Sequence, residues 1–219
     1  MEAKGSFSLE NTPKYKRWLR LLEENGLEVH GVKPVYTKFR AANDLLFALV
    51  ELDATTPEGP KIPPVCFIKG EIVSVLVCLI DEDSGEKYNL LVKQRRICNG
   101  ANIYEQVAGM VDREDDPLEV AVKEVEEETG VMVRPDQVHR LNDEVLFSTT
   151  GTSDEAMHFY YCELTMSHDQ IWSYHAQETG EESEHEHIIT HVATFPEAKR
   201  LIQNCNGLLN IYLYEAAIQ

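Results

Sequence analysis

The sequence predicts an α+β fold, in which a mixed sheet carries helices and follows a smaller N-terminal layer of helix and strands. Along the 219 residues, strand-like apolar runs are interspersed with amphipathic helical segments. Hydrophobic residues make up 43% of the chain, enough for a packed core. A stretch rich in Pro, Thr and Gly at 53–64 marks a loop. We therefore expect an N-terminal extension over residues 1–64 and the main domain over residues 65–219.

The N-terminal extension is predicted to contain one helix followed by strands. Residues 13–25 have the apolar spacing of an amphipathic helix, which Pro13 opens and Gly26 ends. Residues 33–52 mix aromatic and aliphatic side chains with polar ones, a pattern typical of strands.

The main domain is predicted to begin with a hairpin. Residues 71–80 form an apolar run, a polar turn follows, and residues 88–94 return as the second strand. A short strand, IYEQV, precedes Ala108 and Gly109. Residues 117–129 then have the pattern of a helix, which Gly130 ends.

The C-terminal part is predicted to add strands and two closing helices. Strands are expected near residues 138–147, 156–164 and 188–195. A long hydrophilic segment at 177–187 precedes the last of these strands. One helix is expected to start at Pro196, and the closing GLLNIYLYEAA is expected to form the other.

The composition excludes some classes of partner and indicates the cellular compartment. A formal net charge of −18 repels phosphate backbones, so we expect no nucleic-acid partner. A membrane-spanning helix needs about 18 apolar residues, and no apolar run in the sequence approaches that length. We therefore expect no membrane partner. The five cysteines form no C-x-x-C pair, which indicates reduced thiols and an intracellular protein, most simply a cytoplasmic one. The first residues contain no apolar signal core.

Three carboxylates share one face of the helix predicted over 117–129. Glu124, Glu127 and Glu128 stand at i, i+3 and i+4, where like charges repel unless a cation lies among them. Magnesium prefers a few carboxylates together with phosphate oxygens, so the cluster suits metal-assisted attack on a phosphate. A solvated acidic helix face would have the same spacing.

The wider stretch GMVDREDDPLEVAVKEVEEETGV resembles the Nudix box. The matching residues are Gly109, Glu124, Val125, Glu127, Glu128, Gly130 and Val131. Asp115 stands where the box has Glu, and Lys123 stands where it has Arg. The resemblance implies a Nudix-type α/β/α sandwich and a hydrolase of diphosphates that depends on Mg²⁺, with Mn²⁺ as a substitute.

The resemblance also implies a set of metal ligands. These would be Glu124, Glu128 and the backbone carbonyl of Ala108. Glu127 would be a further ligand or would orient the others. Lys123 supplies a positive charge but lacks the planar fork of the family's Arg.

A second stretch, KQRRICNGANIYEQVAGMVD, is similar to the ADP-ribose and ADP-sugar diphosphatases. The matching residues are Gln94, Arg96, Glu105, Ala108 and Gly109. The resemblance implies that Gln94, Arg96, Glu105 and Gly109 help to bind substrate and that Arg96 contacts the diphosphate. A purely structural ion pair between Arg96 and Glu105 is the alternative. The loop GTSDEA at 151–156 resembles a loop of the same subfamily.

Relatives of this subfamily carry a catalytic Glu on a loop after the box. The stretch EHEHI has the same setting, so Glu184 is the first candidate for the general base and Glu186 the second. Glu127 is a further catalytic candidate. A solvated acidic loop is the alternative, and the histidines at 185, 187 and 191 leave zinc as another.

The predicted function is hydrolysis of a nucleoside diphosphate sugar, of the ADP-ribose or ADP-glucose type, to a nucleoside monophosphate and a sugar phosphate. Other diphosphates remain as alternatives, namely UDP-glucose, NADH and dinucleoside polyphosphates. An inactive Nudix module that senses nucleotides is an alternative from another class, to which Asp115 and Lys123 point. Relatives pair through N-terminal strands, so a homodimer through the layer of residues 1–64 is expected. Extension of the monomer's own sheet by residues 33–52 is the alternative.

Overall fold

A computed structural model describes residues 7–112, 116–180 and 187–218. The chain divides into two compact units. The first unit joins Met1–Ile72 with Met110–Asp115 and Leu146–Met157. The second unit comprises Val73–Gly109, Asp116–Val145 and His158–Gln219. The domain boundary expected between residues 64 and 65 stays a prediction.

The first unit opens with helix α1 (Pro13–Glu24), as predicted. The Thr12 hydroxyl accepts a hydrogen bond from the Tyr15 backbone N–H at 3.4 Å, and Pro13 occupies the first turn. Trp18 and Tyr15 are buried on one face of the helix. They join a core that strand residues complete, including Leu45, Ala48, Val50 and Leu52.

An antiparallel three-stranded sheet follows in the first unit. Its strands are β1 (Glu28–Ala41), β2 (Asp44–Thr55) and β3 (Val65–Ile68), in the order β1-β2-β3. The strands predicted over 33–52 are confirmed and extend further at both ends. Residues of β2 alternate toward a buried face, whereas no residue of β1 is buried.

The second unit is built around the predicted hairpin of β4 (Glu71–Asp81) and β5 (Lys87–Arg95), which pair antiparallel. Two short strands border it, β6 (Asn102–Glu105) on β5 and β7 (Val107–Val111) on β4. The later strands of this sheet are β8 (Val138–Arg140), β9 (Leu146–Phe147), β10 (Ala156–Met166), β11 (Glu178–Thr179) and β12 (Ile188–Thr194). Strand β9 and the first two residues of β10 belong to the first unit. The main strand order is β11-β12-β5-β4-β10-β8, and β9 pairs with β10.

Helix α2 (Pro117–Thr129) agrees with its prediction at both ends. Asp116 caps its start by accepting a hydrogen bond from the Leu118 N–H at 2.9 Å. Gly130 ends it in the left-handed conformation, with φ of 71°, which favours glycine. The buried Val120, Ala121 and Val125 form its apolar face.

Three further helices complete the second unit: α3 (His168–Ser173), α4 (Phe195–Leu201) and α5 (Cys205–Ala217). Helix α3 was not predicted, and α5 starts two residues before the predicted Gly207 because Asn204 caps it. Helices α4 and α5 pack on residues of β4, β5 and β12. Within the described ranges, no helix has the length and apolar character to cross a membrane.

All five cysteines are free. Cys78 and Cys162 are buried in strands β4 and β10. Burial raises the pKa of the Cys78 thiol to about 11 and that of the Cys162 thiol to about 12. These two thiols therefore remain protonated at neutral pH.

Candidate active site

Two glutamates of α2 lie against the backbone of β7. The Ala108 N–H donates a hydrogen bond to Glu128 Oε2 at 3.1 Å. Glu124 approaches the next residue so closely that a Cβ atom added to Gly109 would lie 2.1 Å from Glu124 Oε1. We call Ala108, Gly109, Glu124 and Glu128 the carboxylate seat. The structure thus brings together four residues that the sequence assigned to metal or substrate binding.

The helical geometry explains why these two carboxylates lie on the same side of α2. Glu124 and Glu128 are one turn apart, so their side chains project from the same face of α2. Glu128 is 1% exposed, and its neighbours Val125 and Ala121 are completely buried. A buried carboxylate is costly unless it is hydrogen-bonded or paired, and the Ala108 N–H meets part of that need.

Glu127 lies on the more exposed side of α2. Its Oε2 lies 2.7 Å from Lys123 Nζ, in an i, i+4 ion pair on the helix surface. Lys123 therefore makes a charged contact with a box glutamate, although it is a single point charge and not a fork. The roles predicted for Glu127 as ligand, orienting residue or catalytic residue stay predictions.

The end of α2 is tied to the residues that flank the predicted catalytic loop. Thr179 Oγ1 donates to the Glu128 carbonyl at 2.6 Å, and the Gly180 N–H donates to the Glu127 carbonyl at 3.2 Å. Thr179 also pairs with Ile188 across β11 and β12. Thr179 and Gly180 are thus held beside the backbone of Glu127 and Glu128.

Several predicted residues fall outside the described ranges. They are Glu184 and Glu186, the candidates for the general base, together with Asp115 of the box and His185. Their roles remain predictions from the sequence.

A second group of site residues lies at the edge of β5 and β6. Arg96 Nε donates to Glu105 Oε2 at 2.5 Å, so the ion pair that the sequence left open is present. The Arg96 side chain is 39% exposed and that of Glu105 only 11%. Glu105 Oε1 also accepts a hydrogen bond from Asn204 Nδ2 at 3.0 Å. We call Arg96, Glu105 and Asn204 the arginine arm.

Asn204 was not among the predicted site residues. It is 99 positions from Glu105 in the chain, and no motif of the sequence connects the two. The signal that was available is its place as an Asn directly before a helix, a common capping position.

Gln94 is buried on β5, and its side chain is 7% exposed. Among the described residues, no atom accepts a hydrogen bond from its Nε2 group. A buried amide donor without an acceptor is unfavourable, so this group suits a contact with a bound ligand.

The loop GTSDEA is fastened within the first unit. Asp154 Oδ1 accepts hydrogen bonds from the N–H groups of Lys69 and Gly70 at 2.7 and 3.1 Å. Ser153 Oγ donates to the Phe67 carbonyl at 2.9 Å. Burial raises the pKa of the Asp154 carboxyl above its ordinary value. Ser153 and Asp154 therefore have clear structural roles.

Zinc finds no support in the described parts of the chain. No three His, Cys, Asp or Glu side chains there converge as a site that could hold a metal ion. The His191 ring lies 4.7 Å from the His175 ring, and burial lowers the pKa of His191. A complete set of side-chain ligands is what structural zinc requires.

The carboxylate seat nevertheless suits a hard divalent ion. Glu124, Glu128 and the Ala108 carbonyl offer oxygen ligands, and Mg²⁺ commonly takes one or two carboxylates with water and phosphate oxygens completing its shell. The close approach at Gly109 holds Glu124 beside the same strand whose Ala108 N–H holds Glu128. The donor set therefore fits magnesium better than zinc.

Comparisons with known proteins agree with this geometry. The family model of the NUDIX domain matches residues 70–204. A protein of Arabidopsis thaliana, "Nudix hydrolase 14, chloroplastic", is 29% identical over 218 residues, which cover 93% of this chain and 70% of that protein. A crystal structure of an ADP compounds hydrolase has the same fold, with a TM-score of 0.60 and 13% identity over 88% of this chain and 94% of the other.

The predicted family, the α+β sandwich and the hydrolase class are thereby confirmed. Because the NUDIX model covers more than half of the sequence and includes the whole carboxylate seat, this chain belongs to the Nudix family of hydrolases.

Proposed function

We propose that the chain hydrolyses the diphosphate of a nucleoside diphosphate sugar, of the ADP-ribose or ADP-glucose type, to a nucleoside monophosphate and a sugar phosphate. The observation that carries this proposal is the carboxylate seat, where Glu128 is buried and bonded to the Ala108 N–H. The match of Gln94, Arg96 and Glu105 to nucleotide-sugar diphosphatases supports the substrate class.

Glu124, Glu128 and the Ala108 carbonyl would hold Mg²⁺, for which Mn²⁺ could substitute. When bound, the ion neutralises the charge of the diphosphate and polarises its oxygens. Such neutralisation is needed because the chain has a formal net charge of −18 and repels anions.

The protein's own groups would then orient the diphosphate and deprotonate the attacking water. The Nε of Arg96 is held by Glu105, and the remaining guanidinium N–H groups suit the oxygens of a diphosphate. A base takes one proton from the attacking water as its oxygen bonds to phosphorus. The bridging P–O bond breaks, and its electron pair leaves with the second phosphate. Glu184 is the first candidate for this base, Glu186 the second, and Glu127 a further one.

The inactive sensing module is the less favoured alternative. Its support was Asp115 in place of Glu and Lys123 in place of Arg. Asp115 lies outside the described residues, and Lys123 retains a contact of 2.7 Å with Glu127. Hydrolysis of another diphosphate, such as UDP-glucose, NADH or a dinucleoside polyphosphate, would use the same carboxylate seat.

A homodimer through the N-terminal layer is part of the proposal. Strand β1 is an edge strand of 14 residues, none of them buried. An exposed edge of this length is a template for pairing with another chain. The proposed partners are a second copy and the small-molecule substrate. An intracellular, cytoplasmic location is proposed from the five free cysteines.

A substrate panel tests the function. The purified chain is incubated with ADP-ribose, ADP-glucose, UDP-glucose, NADH and a dinucleoside polyphosphate, with Mg²⁺ or with EDTA, and monophosphate release is measured. We expect the highest kcat/KM for an ADP-sugar and complete loss with EDTA. Preference for another substrate would reassign the class. No hydrolysis of any of the five with Mg²⁺ or Mn²⁺ would support the sensing module.

A further inference from the structure

We propose that Asn204 is a positioning residue that orients Arg96 through Glu105. The Asn204 side-chain amide would thus have two roles: it caps the last helix, and it orients a residue that binds the diphosphate. The inference rests on the proposed function in one respect, namely that Arg96 is the residue that contacts the diphosphate.

The two ends of the Asn204 amide have different partners. Its Oδ1 accepts a hydrogen bond from the Gly207 N–H at 3.1 Å and so caps α5. Its Nδ2 donates to Glu105 Oε1 at 3.0 Å. Because the cap requires an acceptor, the donor end must face Glu105. The approach is close, since a Cβ atom added to Gly207 would lie 2.4 Å from Asn204 Oδ1.

Glu105 transmits this orientation to Arg96. Its side chain is 11% exposed, and its two oxygens accept from different residues, Oε1 from Asn204 and Oε2 from Arg96 Nε. A carboxylate held at both oxygens has a defined plane. The guanidinium is planar too, so the contact at Nε sets the direction of its remaining N–H donors.

The backbone explains how residues so distant in sequence meet. Tyr104 and Ile202 form a parallel bridge that joins β6 to the link between α4 and α5. Ile202 is 4% exposed and belongs to the core beneath α4 and α5. Glu105 follows Tyr104 directly, and Asn204 follows two residues after Ile202. The packing of the C-terminal helices therefore places Asn204 beside Glu105.

Loss of the Asn204 donor should weaken substrate binding more than it slows the reaction. Arg96 would be less preorganised, and the cost of ordering it would fall on binding. A hydrogen bond to a charged group contributes enough that KM should rise about tenfold. The value of kcat should change little, because the carboxylate seat does not involve Asn204.

Two substitutions separate positioning from capping. N204S keeps an oxygen that caps α5 but removes the amide N–H that donates to Glu105. N204D also keeps a capping oxygen but sets a second carboxylate against Glu105. We expect a Tm near that of the wild type in N204S and a lower Tm in N204D, because its two carboxylates repel each other. The KM for the preferred ADP-sugar should rise in both variants, with the larger increase in N204D.

A rescue variant gives a readout that capping alone would not move. In N204D/E105Q, the amide introduced by E105Q can donate to the carboxylate introduced by N204D and still accept from Arg96. We expect the KM of the double variant to lie below that of N204D. This double-mutant cycle measures the coupling of the two residues.

T194A is the matched control. Thr194 caps the neighbouring helix α4 by accepting a hydrogen bond from the Glu197 N–H at 3.4 Å. In the part of the chain that the structure describes, it makes no hydrogen bond or ion pair with the arginine arm. Its loss should lower Tm without changing KM.

An NMR measurement makes the test independent of activity. The Nε–H resonance of Arg96, assigned by its absence in R96K, should be protected from exchange in the wild type and lose protection in N204S and N204D. Unchanged protection and unchanged KM in both variants would overturn the inference. If the wild type hydrolyses no nucleotide sugar but the protection is still lost, the positioning stands and the proposed function fails.

Discussion

The carboxylate seat and the arginine arm differ in how their charged groups are held. In the seat, Glu124 and Glu128 lie against the backbone of Ala108 and Gly109. In the arm, Arg96 is held by a side chain, which is held in turn by the side chain of Asn204. A backbone neighbour is fixed in place, whereas a side-chain neighbour can shift by rotation. Substitutions in the seat should therefore abolish activity, and substitutions in the arm should tune affinity.

The largest effect is expected from E128Q. The substitution keeps an acceptor for the Ala108 N–H, so the fold should persist, but it removes a negative charge at a residue that is 1% exposed. We expect kcat to fall about 100- to 1,000-fold, as is typical when one electrostatic contact to a transition state is lost. Steady-state kinetics at saturating Mg²⁺, together with circular dichroism, measures this. A kcat near that of the wild type in a folded E128Q protein would break the assignment of the seat.

The next effect is expected from G109A. The added Cβ would lie 2.1 Å from Glu124 Oε1, so the carboxylate must move. A displacement of about 1 Å can lower a rate about 100-fold. G31A is the matched control, because a Cβ atom at Gly31 has no atom within 4 Å. Comparison of kcat in the two variants checks the expectation. Equal activity in both would show that the seat tolerates displacement after all.

The smallest of these effects is expected from R96K. The substitution keeps the charge but loses the planar fork that Glu105 orients. We expect KM for an ADP-sugar to rise about tenfold, with kcat less affected. R95K is the matched control, since Arg95 is an exposed neighbour that contacts the Gly100 carbonyl. An unchanged KM in R96K would show that Arg96 does not bind the substrate.

Helix α3 shows why some elements escaped prediction. It has six residues, too few for apolar periodicity to be visible. Ser167 and Gln170 form a capping box at its start, a signal that the sequence contains but that the adjoining hydrophilic segment obscured. The longer α1 and α2 were predicted to within one residue of their ends, because proline, capping residues and glycine mark both termini.

Some contacts of the candidate site could likewise be predicted from the sequence, and one could not. Glu124 and Glu128 could be assigned from spacing, because the turn of a helix puts residues four apart on one face. The pairing of Arg96 with Glu105 could be stated as an alternative, since both lie in one motif. The contact of Glu105 with Asn204 could not be stated, because it depends on how α4 and α5 pack on the sheet.

Local pattern by itself determined the family, the helix of glutamates and the strands that precede it. These features depend on interactions between residues close in the chain, where backbone geometry limits the possible arrangements. Only the tertiary structure decided that Gly109 lies against Glu124 and that Asn204 reaches Glu105. Contacts of this kind arise when distant segments pack to bury apolar surface, and sequence spacing contains no measure of that packing.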